Sequence, residues 1–223
     1  MIPYGDTIKI KRTPWVNIAL IVINTAIFIY LFYITNNQEF YFQKFGFMPA
    51  RFFYGWKFSL KFLPVMIENT ITLFTAQFLH AGLFHLIGNM LFLFIFGDNL
   101  EDKLGHIRYL LFYLVCGAIA LLVHGYLFRG STLIVVGASG AIAGVLGGFY
   151  ISYPSAKVKI FPKFFGGEVH SLYYLGIWFL FNLVRGILHL EGLYIESMAW
   201  WAHIGGFIAG ALLIHIFALG AKK

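Results

Sequence analysis

Residues 137–148 read GASGAIAGVLGG, an apolar, glycine-rich run in which Ser139 lies close to the start. A second run of the same character, residues 202–210 (AHIGGFIAG), places His203 close to its start. Glycines at four-residue spacing let the backbones of two membrane helices approach closely. A serine and a histidine on such a pair of helices can meet as a nucleophile and its base. The glycines assigned to this packing are Gly137, Gly140, Gly144, Gly206 and Gly210.

The composition is that of a membrane protein. Of 223 residues, 60% are hydrophobic and 11% are charged, whereas about a quarter of a soluble domain is charged. Apolar runs of about 20 residues, enough to cross a bilayer, recur along the chain. The single cysteine, Cys116, offers no disulfide and no thiolate cluster, and the sequence predicts neither a cofactor nor a metal ion. The length predicts one all-α helical bundle that takes in the whole chain, residues 1–223.

Six membrane spans are predicted from the apolar runs. The first run is too long for the apolar region of a signal peptide and lacks a small-residue cleavage site after it. It follows a short basic segment, residues 1–14. Residues 36–69 are aromatic and basic and are broken by glycine and proline, which favours segments lying in the headgroup region over an ordinary loop. The predicted spans are residues 15–33, 72–96, 107–127, 133–153, 171–190 and 198–219.

The formal charge of +7 is interpreted as a topology signal, and binding of nucleic acid is not predicted. Six spans place both termini on one side. That side carries Lys9, Lys11, Arg12, Lys103, Arg108, Lys157, Lys159, Lys163, Lys222 and Lys223. The other side carries Lys44, Arg51, Lys57, Lys61, Arg129 and Arg185. Because basic residues concentrate on the inner side of a membrane, both termini are predicted to be cytoplasmic.

Polar side chains of three predicted spans share one depth. With this topology the second, fourth and sixth spans all run from the outer to the inner side. His80, His85 and Asn89 lie in the first two thirds of the second span. Ser139 and His203 lie within about two turns of the starts of the fourth and sixth spans. The coincidence favours one polar site, built by three helices in the outer part of the bilayer.

Each of these residues also has a structural alternative. Ser139 is small enough to serve helix packing alone, and a histidine within a span can be a satisfied structural residue. His85 and Asn89 lie four positions apart on one helix face, where they suit either the oxyanion of a tetrahedral intermediate or bonds between helices. His80 is assigned to water retention or to structural bonding rather than to catalysis.

The second, fourth and sixth spans offer no acidic residue at the depth of the site. Glu191 and Glu196 lie in the loop before the sixth span and would reach His203 only if that loop folded back. The residues therefore predict a Ser-His dyad rather than a Ser-His-Asp triad.

In their order along the chain, these motifs resemble those of the rhomboid family of intramembrane serine proteases, in its basic six-span prokaryotic form. The resemblance implies a six-helix bundle in which residues 36–69 form a membrane-embedded first loop. It also implies that residues 171–197 act as a lateral gating helix and cap loop. The matching motifs are His80, HLIGN at residues 85–89, GASG at residues 137–140 and AHIGG at residues 202–206.

The resemblance also implies the roles of the polar residues. Ser139 would be the nucleophile and His203 the general base, with His85, Asn89 and the Ser139 amide forming an oxyanion hole. Two departures from the family pattern stand out. The family often has an aromatic residue four positions after the serine, stacked on the histidine, where this chain has Ala143. The Trp-Arg pair common in the first loop is also missing, and Arg51 is the nearest candidate.

The predicted function is a serine endopeptidase that cuts transmembrane segments of other proteins near their outer ends. Substrate helices would enter between the second and fifth spans and unwind locally, because a helical backbone hides its carbonyl groups in hydrogen bonds. The predicted partners are transmembrane substrates and the lipid bilayer, and the oligomeric state is left open. The predicted location is a prokaryotic inner membrane.

Two other functions compete with proteolysis. One is a catalytically silent relative that binds membrane-protein clients, although such proteins usually lack the serine or the histidine that this chain keeps. The other is a small transporter or channel with a proton path along its histidines. A transporter would keep its flux after Ser139→Ala, whereas proteolysis would vanish.

Overall fold

The computed structural model describes residues 1–54, 63–162, 167–193 and 198–220. Predictions that involve Lys57, Lys61, Lys163, Glu196, Lys222, Lys223 or the cap-loop residues 194–197 lie outside these ranges. The strands are β1 (Ile2–Asp6), β2 (Lys157–Phe161) and β3 (Glu168–His170). The helices are α1 (Trp15–Ile29, continued by a π-helical turn over Tyr30–Ile34), α2 (Gln38–Phe45), α3 (Pro49–Tyr54), α4 (Leu63–Thr75), α5 (Leu83–Leu104), α6 (His106–Leu127), α7 (Ser139–Ser152), α8 (Ser171–Leu190) and α9 (Trp200–Phe217).

Five of the described helices are long and apolar enough to cross a membrane: α1 with its π-helical turn, α5, α6, α8 and α9. The sixth predicted span corresponds to α9, and the first, third and fifth also agree closely with helices of the structure. The fourth corresponds to α7, which has only 14 residues. The helical rise gives α7 a length of about 21 Å, less than the roughly 30 Å of a bilayer core. The all-α membrane bundle predicted from the sequence is confirmed.

The predicted second span, residues 72–96, is wrong at both ends. Its first residues belong to α4 and to a 3₁₀ turn (Ala76–Phe78), and α5 begins only at Leu83. At its other end α5 continues through a charged stretch to Leu104. The acidic side chains of this stretch have partners within the protein: Glu101 and Asp102 accept hydrogen bonds from backbone N–H groups at and before the start of α1. His80 therefore lies in the connection before α5 and not within a span.

The predicted fourth span is wrong at its start. Residues 133–138 are not helical: Val135 pairs with Phe47 of the first loop as an isolated antiparallel bridge, with N–H···O distances of 3.0 and 2.7 Å. Gly137 has φ +127°, a backbone conformation that a right-handed helix does not contain. A run of β-branched residues precedes it and favours extended chain. The helix accordingly begins at Ser139.

α7 is the central helix of the bundle. All residues from Gly140 to Phe149 are buried, and α7 packs against α5, α6 and α9. A Cβ atom on Gly206 or Gly210 of α9 would collide with a backbone carbonyl oxygen of α7. These glycines therefore mark where the two helix backbones touch, as membrane helices with small interface residues do.

Glu101, near the end of α5, holds the start of α1. Its buried carboxylate accepts hydrogen bonds from the backbone N–H groups of Val16 (2.9 Å) and Asn17 (2.7 Å), and it also contacts Nδ1 of His106. The first amides of a helix lack partners within the helix, and the helix dipole favours a negative charge beside them. The contact fixes α1 against the turn between α5 and α6.

The N-terminal segment contains a strand that the sequence did not predict. β1 pairs antiparallel with β2, and β2 pairs antiparallel with β3. Asp6 of β1 accepts a hydrogen bond from the side chain of Asn99 in α5 (2.8 Å), and Arg108 of α6 donates one to the carbonyl of Leu219 (3.0 Å). β1, Leu219 after α9, the α5–α6 turn and the described part of the α7–α8 connection therefore lie on one face of the bundle.

The described part of residues 36–69 forms α2, α3 and the first half of α4. Arg51, the residue nearest in kind to the missing Trp-Arg pair, donates to the carbonyl oxygens of Gln43 (2.5 Å) and Gly46 (2.7 Å). Its own carbonyl accepts a bond from the side chain of Asn69 (3.1 Å). Arg51 thus joins the helices of this loop through their backbones.

Candidate active site

Ser139 is the first residue of α7 and is half-buried. The first amides of a helix have no acceptor within the helix, and no described side chain caps this one. The backbone N–H of Ser139 is therefore available to an oxygen that approaches the hydroxyl. The Ser139 amide is free because the residues before it, 133–138, are not helical and the helix begins only at Ser139.

Gly137 creates the space for His85 beside the serine. A Cβ atom built on Gly137 would lie 2.7 Å from Cε1 and 2.8 Å from Nε2 of His85, and 3.7 Å from Oγ of Ser139. The imidazole of His85 therefore occupies the position that any side chain at residue 137 would need. Gly137 lies outside the helices, so its part in the structure is this approach and not the helix packing that the sequence predicted.

His203 is buried in the first turn of α9, with 7% of its surface exposed. Its Nδ1 atom lies 2.7 Å from Oδ1 of Asn182 in α8. The indole rings of Trp178 and Trp200 lie with their centroids 6.0 Å from that of the imidazole, the second at a right-angled, edge-on arrangement. These three side chains lie around the imidazole, whereas residue 143 is an alanine and brings no aromatic ring to it.

Ser139, His203 and His85 line a shared cavity of about 580 Å³. Ser139 and His203 also line a second cavity of about 240 Å³, together with His85 and Asn89. Three helices thus bring the predicted residues to one place. Among the hydrogen bonds of the described chain, none joins the Ser139 hydroxyl to His203. Catalytic bonds are often long in substrate-free enzymes and tighten when the substrate binds.

Asn89 and His80 carry buried polar atoms without partners. Nδ2 of Asn89, one turn after His85 in α5, contacts no acceptor among the described residues. The backbone of Phe78 interacts with the buried ring of His80, which leaves at least one ring nitrogen without a partner in this part of the chain, and the ring centroid lies 5.2 Å from that of His85. Buried polar atoms are normally bonded, so unpaired ones beside a cavity indicate a ligand or water position.

Sequence reasoning missed Asn182, Trp178 and Trp200. Asn182 offered a signal, because an amide in the middle of an apolar span is costly and often functional. The tryptophans offered none, since aromatic residues are common throughout this chain. In the described ranges no three His, Cys, Asp or Glu side chains are grouped so that they could share a metal ion.

Comparison with known proteins identifies the family. The model of the rhomboid domain matches residues 67–219. RHOMBOID-like protein 1 of Arabidopsis thaliana is 30% identical in an alignment of 228 positions, gaps included, that covers 92% of this chain and 54% of that protein. Rhomboid protein 1, mitochondrial, of Saccharomyces cerevisiae is 30% identical over 70% of this chain and 45% of its own length. Rhomboid-like protease 3 of Toxoplasma gondii is 26% identical over 63% of this chain and 49% of its own.

The chain belongs to the rhomboid family and is a multi-pass integral membrane protein. The resemblance drawn from the sequence motifs is thereby confirmed for the family. The chain spans about half the length of the first curated relatives it matches. Because relatives from plants and from mitochondria are among the matches, the prokaryotic inner membrane stays a prediction.

Proposed function

We propose that this chain is an intramembrane serine endopeptidase that acts through a Ser139–His203 dyad. One observation supports this most strongly. Ser139 and His203, on two helices whose backbones touch, line one cavity with His85 and a second, smaller one with His85 and Asn89. A packing role for Ser139 would not require polar groups from two further helices around its hydroxyl.

In the acylation step, Nε2 of His203 takes the proton of the Ser139 hydroxyl while Oγ attacks the carbonyl carbon of the scissile peptide bond. The carbonyl oxygen becomes an oxyanion, which accepts hydrogen bonds from the Ser139 amide and from the side chains of His85 and Asn89. When the intermediate collapses, the C–N bond breaks, and His203 gives its proton to the leaving amine. An acyl-enzyme ester on Ser139 remains.

Hydrolysis of that ester repeats the sequence with water in place of the hydroxyl. His203 takes a proton from the water, the hydroxide attacks the ester carbonyl, and Ser139 leaves with the proton that His203 returns. The 580 Å³ cavity, which Gln77 and His85 also line, has room for this water. His80 adjoins His85 and fits a part in holding water there.

The substrates are transmembrane segments of other membrane proteins. The smaller cavity supports a lateral route, since Phe84 and Phe92 of α5 line it on one side and Trp178 of α8 on another. A segment that enters between α5 and α8 must unwind locally, because an intact helix bonds the carbonyl oxygen that the oxyanion hole needs. Helix-destabilising residues near the cleavage point should therefore favour cutting.

The first test is labelling with a fluorophosphonate, which phosphonylates activated serine hydroxyls with loss of fluoride. The purified protein in detergent is compared with Ser139→Ala and His203→Ala, and with Ser152→Ala as a matched control on the same helix. We expect wild type and Ser152→Ala to be labelled and both site variants to stay unlabelled. Cleavage of a reconstituted transmembrane substrate should fall by at least about 10³-fold in both site variants.

Labelling that survives Ser139→Ala would contradict the proposal, because another nucleophile would then be at work. A wild type that stays unlabelled under conditions that label an active relative would also contradict it. That result would favour the client-binding function, in which the polar residues hold a bound segment without cutting it.

A further inference from the structure

Asn182 is a buried amide in the middle of α8, a mostly apolar helix in which most other residues are exposed or half-buried. Only 2% of its surface is exposed. Its side chain makes two short hydrogen bonds. Nδ2 donates to the carbonyl oxygen of Trp178 one turn earlier in α8 (2.7 Å), and Oδ1 lies 2.7 Å from Nδ1 of His203 in α9. A buried amide costs free energy in a membrane unless its groups are bonded, and here both ends are.

These bonds determine which way the amide points. If the amide were flipped, its oxygen would face the carbonyl oxygen of Trp178, and two acceptors cannot form a hydrogen bond. The NH₂ group must therefore face Trp178, and the oxygen must face His203. Since that oxygen can only accept, the hydrogen in the second bond belongs to Nδ1 of His203. In a neutral imidazole the other nitrogen, Nε2, then carries the lone pair.

We propose that Asn182 is a positioning residue that sets the tautomer and the ring orientation of His203, and so presents Nε2 as the base to Ser139. The inference rests on the proposed function and extends its machinery to α8. The dyad predicted from the sequence becomes a Ser-His-Asn arrangement. As in other hydrolases with a third group behind the histidine, the acceptor also stabilises the imidazolium that forms when His203 takes the serine proton.

No other described group can take this role. The other titratable side chains whose charge acts on His203 are His85 in α5 and His124 in α6, and no hydrogen bond of the described chain joins either imidazole to Nδ1 of His203. Trp178 and Trp200 restrict where the ring can lie, yet an indole N–H only donates and cannot accept the Nδ1 hydrogen. Without Asn182, the proton of His203 is free to reside on either nitrogen.

The chain provides a matched control for a purely structural role. One turn beyond Asn182, the carbonyl of Gly186 in α8 accepts a hydrogen bond from Nε1 of Trp201 in α9 (3.0 Å). Trp201→Phe removes this bond between the same two helices without touching His203. If Asn182 only holds α8 against α9, Trp201→Phe and Asn182→Ala should have equal effects. If Asn182 sets the tautomer of His203, that tautomer should change in Asn182→Ala alone.

The first measurement is ¹⁵N NMR of the full chain labelled at histidine, in detergent micelles at a pH where the imidazoles are neutral. The His203 signals are assigned by their loss in His203→Ala. Wild type and Trp201→Phe should show His203 with a protonated Nδ1 and an unprotonated Nε2. In Asn182→Ala the signals should shift toward the opposite tautomer or a mixture. A protonated Nε2 in wild type, or an unchanged tautomer in Asn182→Ala, would overturn the proposal.

The second measurement is the rate of cleavage of a reconstituted transmembrane substrate. Asn182→Ala should lower kcat by about ten- to a hundredfold with little change in KM. The hydrogen bond that is lost, from Nδ1 of His203 to Oδ1 of Asn182, strengthens as positive charge develops on the imidazole. Asn182→Asp keeps an acceptor at the same place and should recover most of that loss. Trp201→Phe should keep kcat within about threefold of wild type. If Asn182→Asp is as slow as Asn182→Ala, the acceptor has no such role.

The two measurements separate failure of this inference from failure of the proposed function. The NMR result does not depend on proteolysis and holds equally in Ser139→Ala. If labelling and cleavage disappear in Ser139→Ala while Asn182→Ala retains full kcat, the protease function stands and the role of Asn182 falls. If wild type shows the expected tautomer but has no reactive serine, the positioning contact exists and the protease function falls.

Discussion

At the scale of the residue, the proposed role of Asn89 rests on a buried amide donor without a hydrogen-bond partner. Its side chain is 8% exposed, and its Nδ2 has no acceptor among the described residues. An unpaired buried donor costs free energy, and that of Asn89 belongs to a residue that lines the same cavity as Ser139 and His203. It is explained if the oxyanion of the tetrahedral intermediate is its partner, since that oxygen exists only during the reaction.

This explanation predicts that activity and stability separate in Asn89→Ala. We expect kcat to fall by about 10²- to 10³-fold, the usual effect of removing one oxyanion donor, with KM little changed. The thermal unfolding midpoint should not fall, because no hydrogen bond of the resting structure is lost. Asn24→Ala is a suitable control: Asn24 is also buried in a membrane helix and its Oδ1 is unpaired too, yet it lines neither cavity and its Nδ2 donates to the carbonyl of Leu20 (2.7 Å). An Asn89→Ala variant that unfolds early yet cleaves normally would contradict the assignment.

At the scale of the element, the contact of α7 with α9 determines whether the serine and the histidine can meet. The backbones of the two helices touch at Gly144 and Gly210, and again at Gly140 and Gly206. A Cβ atom on Gly210 or Gly206 would lie only 1.9 or 2.1 Å from a carbonyl oxygen of α7, so a side chain at either crossing would push the helices apart. Ser139 and His203 lie in the first turns of these helices, so any separation there is passed on to the site.

We therefore expect Gly210→Ala to destabilise the protein and to reduce activity. A methyl group there would lie inside the contact distance of the Gly144 carbonyl, and overpacking of this kind costs about 1–3 kcal/mol. The matched control is Gly176→Ala in α8, where an added Cβ has nothing within 4 Å. That change should be neutral or slightly stabilising, because alanine has the higher helix propensity. Thermal unfolding in detergent measures both, and equal midpoints for the two variants would contradict the close-packing account.

At the scale of the whole molecule, contacts between distant segments fix which loops share a face. The β1–β2 pairing ties the N-terminus to the α7–α8 connection, and Arg12 donates its backbone N–H to Asp102 at the α5–α6 turn (2.9 Å). The extended segment before Ser139 lies at the opposite end of α7. The structure defines the two faces, and the proposal that the basic one is cytoplasmic comes from the distribution of lysine and arginine.

Labelling of single introduced cysteines tests this orientation. In intact cells, a membrane-impermeant maleimide should modify Leu133→Cys, whereas Lys9→Cys and Ser155→Cys should react only after permeabilisation. The wild-type chain is the control, because its single cysteine, Cys116, is buried. The reverse pattern would show that the basic face is exterior. Labelling of Lys9→Cys and Ser155→Cys from opposite sides would contradict the shared face itself.

The sequence by itself determined the class of protein and the chemistry that its residues permit. Apolar length alone dictates helices that cross a bilayer, and serine, histidine and asparagine retain their chemistry in any fold, so Ser139, His203, His85 and Asn89 could be named without coordinates. Only the tertiary structure decided where α5 and α7 begin, because residues 133–138 are held extended by a bond to Phe47, far away in the sequence. It likewise revealed Asn182, whose oxygen faces His203 only because α8 packs against α9. Hydropathy and spacing describe each helix alone, and partners of this kind arise when helices meet.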